Sequence, residues 1–358
     1  MGEFHMKILF TFYLATGGVV TLNRHRYHAL QSDECECHFL YLKNGSGLNT
    51  MGDARTYVTN DDEDIKALLY GKQYDVIVVT LDFLFVNRLR RLGYKGKIIF
   101  DVQGFGTGIK ELFDKANDHI TGEVDAILSP KTPHLEQIIA QHFPSTPAFH
   151  FHNCITFSMF TTNPQSKPKR TIIGWVGRIE ENKNWRYFLQ IGEKLLKEDP
   201  SLELWIFEDP KAANPSEKKH FHSVVKKLKL RSHMRSLQNV PYERMAEFYS
   251  LIGRSGGFLC STSKKEGFGY AVLEAMCCKC PVVCTDSDGI KSFVIDEQTG
   301  LIIPHNNVPA SVNKAQRLLR DKQFQNQLTS NARNYVHEHF SPELYRDHFQ
   351  QMLQFIGL

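Results

Sequence analysis

The sequence has no long hydrophobic run, although 42% of its 358 residues are hydrophobic. A membrane-spanning helix needs roughly 20 consecutive apolar residues, and stretches such as KILFTFYLA, which starts at Lys7, are much shorter. That stretch is also too short for the core of a signal peptide with its flanks. The sequence therefore predicts a cytoplasmic protein with at most a peripheral membrane contact. The opening MGEFH, before Met6, is typical of a cloning site and is left out of the fold prediction.

The eight cysteines lack the spacing of a disulfide framework. Five of them fall between Cys260 and Cys284 among Val, Met and Ala. The last four, Cys277, Cys278, Cys280 and Cys284, run from a predicted helix end through a predicted strand, unlike two paired CxxC ligand motifs. His150 and His152 alternate in FHFHN, which fits one face of a strand or loop better than a metal site. The sequence predicts reduced, buried cysteines and no bound metal.

Two common nucleotide-binding motifs are missing. The pattern GxxxxGK[ST] does not occur, which disfavours a nucleoside triphosphatase of that type. The segment QGFGTG (103–108) approaches the dinucleotide fingerprint, but Ile109 stands where the third glycine belongs and the segment follows the wrong strand. A nicotinamide-dependent enzyme is therefore disfavoured as well.

Charge is distributed unevenly about residue 157. Up to that residue, 15 Lys and Arg face 18 Asp and Glu, a net charge of −3; the remainder has 28 against 21, a net charge of +7. Much of the excess lies in the basic segment 218–235, which lacks the series of aromatic residues that base stacking requires. It predicts a solvated surface and no nucleic-acid partner. A positive second half can still attract a small polyanionic ligand.

Short runs rich in Val, Ile and Phe alternate with amphipathic segments along the whole chain. This alternation predicts parallel, doubly wound sheets of the α/β class. The length suits two domains: a Rossmann-like domain over 6–156, a polar linker at 157–170 and a second Rossmann-like domain over 171–340. The predicted strands are 7–14, 37–43, 74–81, 97–102, 126–130, 171–177, 202–208, 256–262, 281–286 and 300–304.

Ligands of doubly wound sheets bind beyond the carboxyl ends of the strands. After the first strand, Gly17 and Gly18 allow a tight turn before a helix whose first amides can face a phosphate. A plain strand-to-helix turn explains these glycines equally well. After the strand 171–177, Arg178 and Lys183 offer a planar guanidinium and a mobile ammonium, which suit a diphosphate. Two unrelated surface cations are an equal alternative.

The most specific pattern is STSKKEGFGYAVLEAM (261–276). Gly267 and Gly269 remove side chains where a helix is predicted to begin, so its first amides can approach a phosphate. Glu266 and Glu274 are eight positions apart, about 12 Å at a helical rise of 1.5 Å per residue. This is about the reach from the sugar to the ribose of a nucleotide sugar, and each carboxylate can accept hydrogen bonds from two hydroxyls. The alternative is a surface glutamate and an N-terminal charge favoured by the helix dipole.

The segment EGFGYAVLEAM, followed by PVVCTDSDG and TGLIIP, resembles the donor site of retaining glycosyltransferases of family 4, also called group 1. The resemblance extends over nearly the whole chain through ATGGVV, DVQG, HNCI and GRIEENKN. It implies the GT-B architecture, in which two Rossmann-like domains face each other across a cleft. It also implies that the C-terminal segment 341–358 is a helix that packs back on the first domain.

By position, the resemblance implies a role for each candidate residue. Arg178 and Lys183 would hold the donor diphosphate. Glu266 would face the hydroxyls of the donor sugar, and Glu274 would bind the ribose. Gly18 would bring its backbone close to the transferred sugar and its phosphate. The other residues of the implied donor site are Gly17, Gly267, Phe268, Gly269 and Tyr270.

The sequence departs from the family pattern in two loops. Gln103 stands where the family usually has a histidine, and because glutamine cannot take a proton it cannot act as a general base. Gln103 is nevertheless assigned to the catalytic set with Glu266, Arg178 and Lys183, since a departing phosphate oxygen can itself receive the acceptor's proton. In the second loop, after Gly289, Lys291–Ser292 replace the usual glutamate and proline.

The sequence thus predicts a retaining hexosyltransferase. The donor would be a UDP- or GDP-sugar bound by the second domain, and the acceptor a saccharide, lipid-linked or other hydroxyl bound by the first. No metal or other cofactor is expected. Two alternatives stay open: a nucleotide-sugar epimerase or hydrolase of the same fold, and a non-catalytic nucleotide-sugar-binding protein, which the glutamine at position 103 favours.

Overall fold

The computed structural model describes residues 5–103, 109–162, 168–210 and 213–358. The chain divides into two compact units, one formed by Met1–Thr156 with His339–Leu358 and the other by Phe157–Glu338. Three predicted features lie partly outside the described residues: the start of the cloning-site sequence, the glycine-rich segment after Gln103 and the middle of the linker.

The first unit is built around a parallel sheet. In the described residues its strands are β1 (Met6–Leu14), β2 (Cys35–Lys43), β3 (Thr56–Val58), β4 (Val76–Thr80), β5 (Lys97–Asp101), β6 (Ala126–Ser129) and β7 (Ala148–His150). They lie in the order β3-β2-β1-β4-β5-β6-β7, and each neighbouring pair is parallel. β4 is buried along its whole length. Its sequence VIVVT is accordingly apolar on both faces up to its last residue.

Helices cover both faces of this sheet and separate its strands in the chain. They are α1 (Gly17–Leu30), α2 (Asp62–Lys72), α3 (Phe83–Arg91), α4 (Ile109–Ile120) and α5 (Pro133–His142). Buried residues form one cluster that includes Phe10 and another that includes Phe100, in keeping with a sheet covered on both sides.

The second unit repeats the plan. In its described residues the strands are β8 (Ile172–Val176), β9 (Glu203–Glu208), β10 (Met234–Gln238), β11 (Phe258–Ser261), β12 (Val282–Thr285) and β13 (Leu301–Ile303). They form a parallel sheet in the order β10-β9-β8-β11-β12-β13. The helices between and after them are α6 (Trp185–Glu198), α7 (Pro215–Lys227), α8 (Met245–Arg254), α9 (Tyr270–Cys277), α10 (Val308–Arg320) and α11 (Lys322–His339).

The chain reverses direction across each sheet at one point. In the first sheet the strands run outward from β1 to β3, and the chain then returns to place β4 on the other side of β1. In the second sheet the same reversal separates β8 from β11. Crevices at such switch points, beyond the carboxyl ends of the strands, are where doubly wound sheets bind ligands.

The predicted fold class, two doubly wound Rossmann-like units, is confirmed. Three strands were missed: β3, β7 and β10. β3 and β7 have three residues each, too few to show a periodic pattern. β10 lies at the edge of its sheet, and its polar sequence MRSLQ has no fully buried residue. Its first two residues, Met234 and Arg235, end the basic segment 218–235, which was predicted as a solvated surface.

The last helix, α12 (Pro342–Phe355), belongs to the first unit, where it packs against α1. Tyr345 and Phe349 lie in the same buried cluster as Phe10. The Tyr345 hydroxyl accepts a hydrogen bond from Arg26 Nε (2.7 Å), and Arg26 Nη1 also pairs with Asp101 Oδ2 (2.8 Å). Burial alone would lower the pKa of Arg26, but Asp101 and Tyr345 outweigh burial and raise it.

The close contact between β8 and β11 depends on a glycine, which gives a stability prediction. A Cβ on Gly257 would clash with the carbonyl of Ile172, whereas one on the exposed Gly71, in α2, would meet nothing within 4 Å. We expect Gly257→Ala to lower the free energy of unfolding of the second unit by about 2 kcal/mol or more. Gly71→Ala should stabilise the first unit by up to about 1 kcal/mol, because alanine is the better helix former.

Urea unfolding measures both effects. All three tryptophans, Trp175, Trp185 and Trp205, lie in the second unit, so their fluorescence reports that unit, while circular dichroism follows the whole chain. A Gly257→Ala protein with the wild-type fluorescence midpoint would show that the Ile172 carbonyl can move aside.

Candidate functional site

A buried threonine joins the loops that follow β8 and β11 at the switch point of the second sheet. Thr262 comes directly after β11, and its hydroxyl accepts a hydrogen bond from Trp175 Nε1 in β8 (3.0 Å). The same hydroxyl lies 3.0 Å from the carbonyl of Lys183 and 3.1 Å from that of Asn184, so it donates to the loop before α6. The sequence prediction did not include this threonine.

The two loops are also hydrogen-bonded to each other. The Asn182 carbonyl accepts the backbone N–H of Lys264 (2.8 Å), and the Asn182 side-chain amide donates to the Lys265 carbonyl (3.0 Å). Lys264 Nζ pairs with Glu181 at 2.8 Å on the surface. These contacts fix the backbone on either side of the candidate residues Lys183 and Glu266.

Lys183 and Glu266, predicted as separate ligands of one donor, form an ion pair in the structure. Lys183 Nζ lies 2.6 Å from Glu266 Oε1, and the side chains are 22% and 15% exposed. The Ser263 hydroxyl donates to the same oxygen, also at 2.6 Å. Among the described residues, Glu266 Oε2 accepts no hydrogen bond. The arrangement therefore leaves one oxygen of a fixed carboxylate for a ligand.

Arg178, at the carboxyl end of β8, is a more exposed cation. Its guanidinium is 54% exposed and pairs with Glu180 at 3.0 Å. A surface ion pair of this kind contributes little stability. Arg178 can therefore exchange its present partner for an anionic ligand at small cost.

Glycines at the start of α9, and one that packs against the loop before it, allow close backbone contacts. Gly269 is the N-cap of α9 with a φ of 94°, a conformation that favours glycine, and as a glycine it has no side chain to cap the first amides of this helix. The Gly289 N–H donates to the Glu266 carbonyl (3.1 Å), and a Cβ on Gly289 would lie 2.5 Å from the Gly267 carbonyl carbon. Gly289 thus supports the loop that precedes α9 by direct backbone contact.

Two predicted donor-binding residues of this loop face the interior. Phe268 and Tyr270 are each 8% exposed, and their rings meet edge to face at 4.9 Å. Phe268 also packs edge to face against Phe293 at 5.5 Å. Their rings form part of an aromatic cluster, so their contribution to a ligand site comes chiefly from the backbone.

Glu274 is buried and held by two tyrosines of the segment before and within α8. Its Oε1 accepts a hydrogen bond from the Tyr242 hydroxyl (3.0 Å), and its Oε2 accepts one from the Tyr249 hydroxyl (2.9 Å). Burial, and then the neighbouring Glu274 charge, raise the pKa of Tyr249 well above its usual value. Neither tyrosine was among the predicted site residues, because 32 and 25 positions separate them from Glu274.

The predicted distance between Glu266 and Glu274 assumed a helical rise over all eight positions, and this assumption was wrong. α9 begins at Tyr270, so Glu274 lies about one turn into the helix and Glu266 lies in the loop before it. The helical rise of 1.5 Å per residue therefore applies to only half of the eight positions.

Three predicted site residues belong to the first unit. Gly17 has a φ of 73°, and a Cβ on Gly17 or Gly18 would meet nothing within 4 Å, so the turn after β1 is sterically open. Gln103 follows β5 and is hydrogen-bonded at both ends of its amide: Nε2 donates to Asp101 Oδ1 (2.6 Å), and Oε1 accepts from Asn153 Nδ2 (2.8 Å). The remaining predicted site residues lie in the second unit.

The five cysteines between 260 and 284 are buried and free. Burial raises the pKa of the Cys260 and Cys278 thiols to about 12, so these thiols stay protonated at neutral pH. Within the described ranges, no group of three or more His, Cys, Asp or Glu side chains is placed to hold a metal ion. In the same ranges, no helix has the length and apolar character needed to cross a bilayer.

The two ion pairs between these loops allow a matched prediction. Lys183–Glu266 is mostly buried, whereas Lys264–Glu181 is exposed at a similar distance, 2.8 Å. A double-mutant cycle with Lys183→Met and Glu266→Gln should give a coupling free energy of about 1 kcal/mol in urea unfolding. The corresponding cycle with Lys264→Met and Glu181→Gln should give no measurable coupling. Equal coupling in the two cycles would mean that burial does not strengthen the Lys183–Glu266 pair.

Residues 160–335, just under half of the chain, match the family model described as Glycosyl transferases group 1. The chain is 25% identical over 163 residues to Alpha-D-kanosaminyltransferase of Streptomyces kanamyceticus, which covers 46% of this chain and 40% of that protein. It is 24% identical over 212 residues to Poly(ribitol-phosphate) alpha-N-acetylglucosaminyltransferase of Staphylococcus aureus (strain COL), which covers 57% of this chain and 40% of that protein. Each match therefore spans less than half of the curated relative.

The fold comparison covers both units. The crystal structure of Anabaena Alr3699/HepE in complex with UDP and glucose matches with a TM-score of 0.81 at 14% identity, over 98% of this chain and 100% of that one. At this identity the likeness shows the fold alone. Together, the sequence match of the second unit and the GT-B fold of the chain support a group 1 glycosyltransferase.

Proposed function

We propose that the protein is a retaining glycosyltransferase of family 4 that transfers a hexose from a UDP- or GDP-sugar to a hydroxyl acceptor. The observation that carries this proposal is the group at the switch point of the second sheet. There the loops after β8 and β11 hold Lys183 against Glu266, directly before the glycine-rich start of α9. A cation, a carboxylate and the amides at a helix start are groups that suit a nucleoside diphosphate sugar.

The donor diphosphate would bind to Lys183, Arg178 and the first amides of α9. The Lys183 ammonium has three N–H donors, and the hydrogen bond to Glu266 uses one of them. The other two suit phosphate oxygens. Arg178 adds a guanidinium whose present partner is a surface glutamate. Positive charge and helix amides around the diphosphate would stabilise the negative charge that develops on the leaving group.

Glu266 would contact the transferred sugar. Lys183 and Ser263 hold its Oε1, which leaves Oε2 to accept hydrogen bonds from sugar hydroxyls. A carboxylate fixed in this way also stabilises the positive, oxocarbenium-like character that the anomeric carbon gains during transfer.

Glu274 would bind the ribose hydroxyls. Its Oε1 accepts the Tyr242 hydroxyl and its Oε2 the Tyr249 hydroxyl, and a carboxylate oxygen can accept more than one hydrogen bond. Tyr242 and Tyr249 keep this buried carboxylate in one orientation. The ribose is unchanged in the reaction, so this contact would contribute to donor binding and not to the chemical step.

Retention fits the residues of the first unit. The bond between the anomeric carbon and the phosphate oxygen would break while the acceptor oxygen forms its bond on the same face of the sugar. The acceptor proton would pass to the departing phosphate oxygen, which avoids the general base that Gln103 cannot provide. Both curated relatives named above carry "alpha" in their names; with an α-linked donor, an α-linked product would mean retention.

The proposal also specifies the donor, the acceptor and the cellular location of the protein. The second unit would bind the donor and the first unit a saccharide, lipid-linked or other hydroxyl acceptor, without a metal ion, in the cytoplasm. UDP is the first donor nucleotide to test, since the matched Anabaena protein was crystallised with UDP and glucose. A second candidate, a nucleotide-sugar-binding protein without turnover, is favoured by the glutamine at position 103.

A binding experiment tests the diphosphate site. UDP, GDP and ADP, and their sugars, are compared by thermal shift, because a ligand of the folded state raises the melting temperature. For the nucleotide that binds, Lys183→Ala and Arg178→Ala should each weaken affinity by about 1.5 to 3 kcal/mol in calorimetry. Lys264→Ala is the control, since Lys264 lies in the neighbouring loop after β11 and pairs with Glu181 on the surface. Unchanged affinity in both site variants would show that the diphosphate does not bind at Arg178 and Lys183.

A kinetic experiment separates the two glutamates. Glu266→Gln should chiefly lower kcat, raising the barrier by about 2 to 4 kcal/mol, because the lost charge acts on the transition state. Glu274→Gln should chiefly raise the KM of the donor, because the ribose does not react. Product formation with an acceptor distinguishes a transferase from an epimerase or a hydrolase. Binding of donor with no product across an acceptor panel would favour the binding protein instead.

A further inference from the structure

Gln103 ends a chain of buried polar contacts in the first unit. Its Nε2 donates to Asp101 Oδ1 at 2.6 Å, and the other carboxylate oxygen, Oδ2, accepts from Arg26 Nη1 (2.8 Å) and from the Thr80 hydroxyl (2.9 Å). Asp101, Arg26 and Thr80 are completely buried. The Asp101 carboxylate thus accepts hydrogen bonds from three donors and lies at the centre of this series of contacts.

This series of hydrogen bonds continues to the last helix. Arg26 Nε donates to the Tyr345 hydroxyl of α12 at 2.7 Å, and Tyr345 is itself buried against Phe349. An arginine between a carboxylate and a tyrosine cannot turn without losing a hydrogen bond, which is costly for a buried group. Asp101 is therefore held in one orientation by groups that do not contact Gln103.

Two neighbours independently specify the orientation of the Gln103 amide. A carboxylate paired with arginine only accepts hydrogen bonds, so the NH₂ end of Gln103 must face Asp101. On the other side, Asn153 Nδ2 donates to Gln103 Oε1 at 2.8 Å, and Asn153 is 2% exposed. A flipped amide would place two acceptors together at Asp101 and two donors together at Asn153. One N–H of Nε2 and one lone pair of Oε1 are left for a ligand.

We propose that Asp101, fixed by Arg26, and Asn153 are positioning residues that hold the Gln103 amide in one orientation toward the acceptor. The inference rests on the proposed function, because Gln103 is a candidate site residue of that reaction. A donor and an acceptor held in fixed places need no rearrangement when the transition state forms. Gln103 would then position the reacting groups by its hydrogen bonds, since it cannot accept a proton.

The test uses Asn153→Ala, which removes one neighbour of Gln103 and keeps the Arg26–Asp101 ion pair. The matched control is Asn23→Ala: Asn23 is an equally buried asparagine of the same unit, and its amide donates to the Tyr41 hydroxyl at 3.1 Å. Both variants should melt at lower temperature. We expect Asn153→Ala to lower kcat about tenfold with unchanged affinity for the donor nucleotide, and Asn23→Ala to leave kcat unchanged.

A double substitution identifies the route of the effect. If Asn153 acts through Gln103, then Asn153→Ala should cause no further loss of kcat in a Gln103→Ala background. The same loss in both backgrounds would overturn the proposal. Asp101→Asn is the second positioning variant and should behave in the same way. It leaves Arg26 buried without its counter-charge, which destabilises the fold; where it does not fold, the Asn153 cycle decides.

Nuclear magnetic resonance separates failure of this inference from failure of the proposed function. The side-chain amide signals of Gln103 are identified by their loss in Gln103→Ala. In the wild type, the proton bonded to Asp101 should exchange slowly with solvent, and Asn153→Ala should speed that exchange while Asn23→Ala does not. Equal exchange in the wild type and Asn153→Ala would overturn the inference. A wild-type protein that transfers no sugar from any donor would refute the function and leave this measurement to judge the positioning.

Discussion

The pairing of β8 with β11 is the interaction on which the candidate site depends. These strands are neighbours in the sheet although 81 residues lie between Val176 and Phe258, the end of one and the start of the other. Their approach is close: a Cβ on Gly174 would lie 3.4 Å from Leu259 Cδ1 of β11, and Gly257, directly before β11, packs on the backbone of Ile172. Because both strands point the same way, the loops after them meet at one edge of the sheet, where Thr262 ties one to the other.

The Lys183–Glu266 pair gives this meeting point its chemical character. Each side chain holds the other in one position, so neither side chain has to be ordered when a ligand binds. The pair is close to neutral as a unit, but under the proposed function its two ends would face different parts of a nucleotide sugar. An anion and a polyol can therefore be bound side by side without a large net charge in a half-buried place.

The sequence predicted the local parts of this architecture better than the long-range ones. Apolar runs, the glycines before α9 and the residues after each strand could be read directly, since each depends on its own neighbourhood in the chain. The partners of Glu274 could not, because Tyr242 and Tyr249 reach it only through the packing of α8 on α9. The contacts of Arg26 with Asp101 and Tyr345 are similar: no local pattern links residues 75 and 319 positions apart along the chain. Short edge strands such as β10 escaped because a polar, exposed strand has no pattern of burial to reveal it.

The place of α12 in the first unit has a consequence for the order in which the protein folds during synthesis. The first unit consists of residues up to Thr156 and of the last twenty residues, so the whole second unit is made before the first can be completed. Until Tyr345 and Phe349 emerge from the ribosome, the cluster around Phe10 lacks part of its apolar cover, and Arg26 lacks its tyrosine partner. The second unit, which is continuous in the chain, meets no such delay. A nascent chain therefore presents an unfinished first domain for longer than its position at the N-terminus suggests, and this is the stage at which chaperones have an apolar surface to recognise.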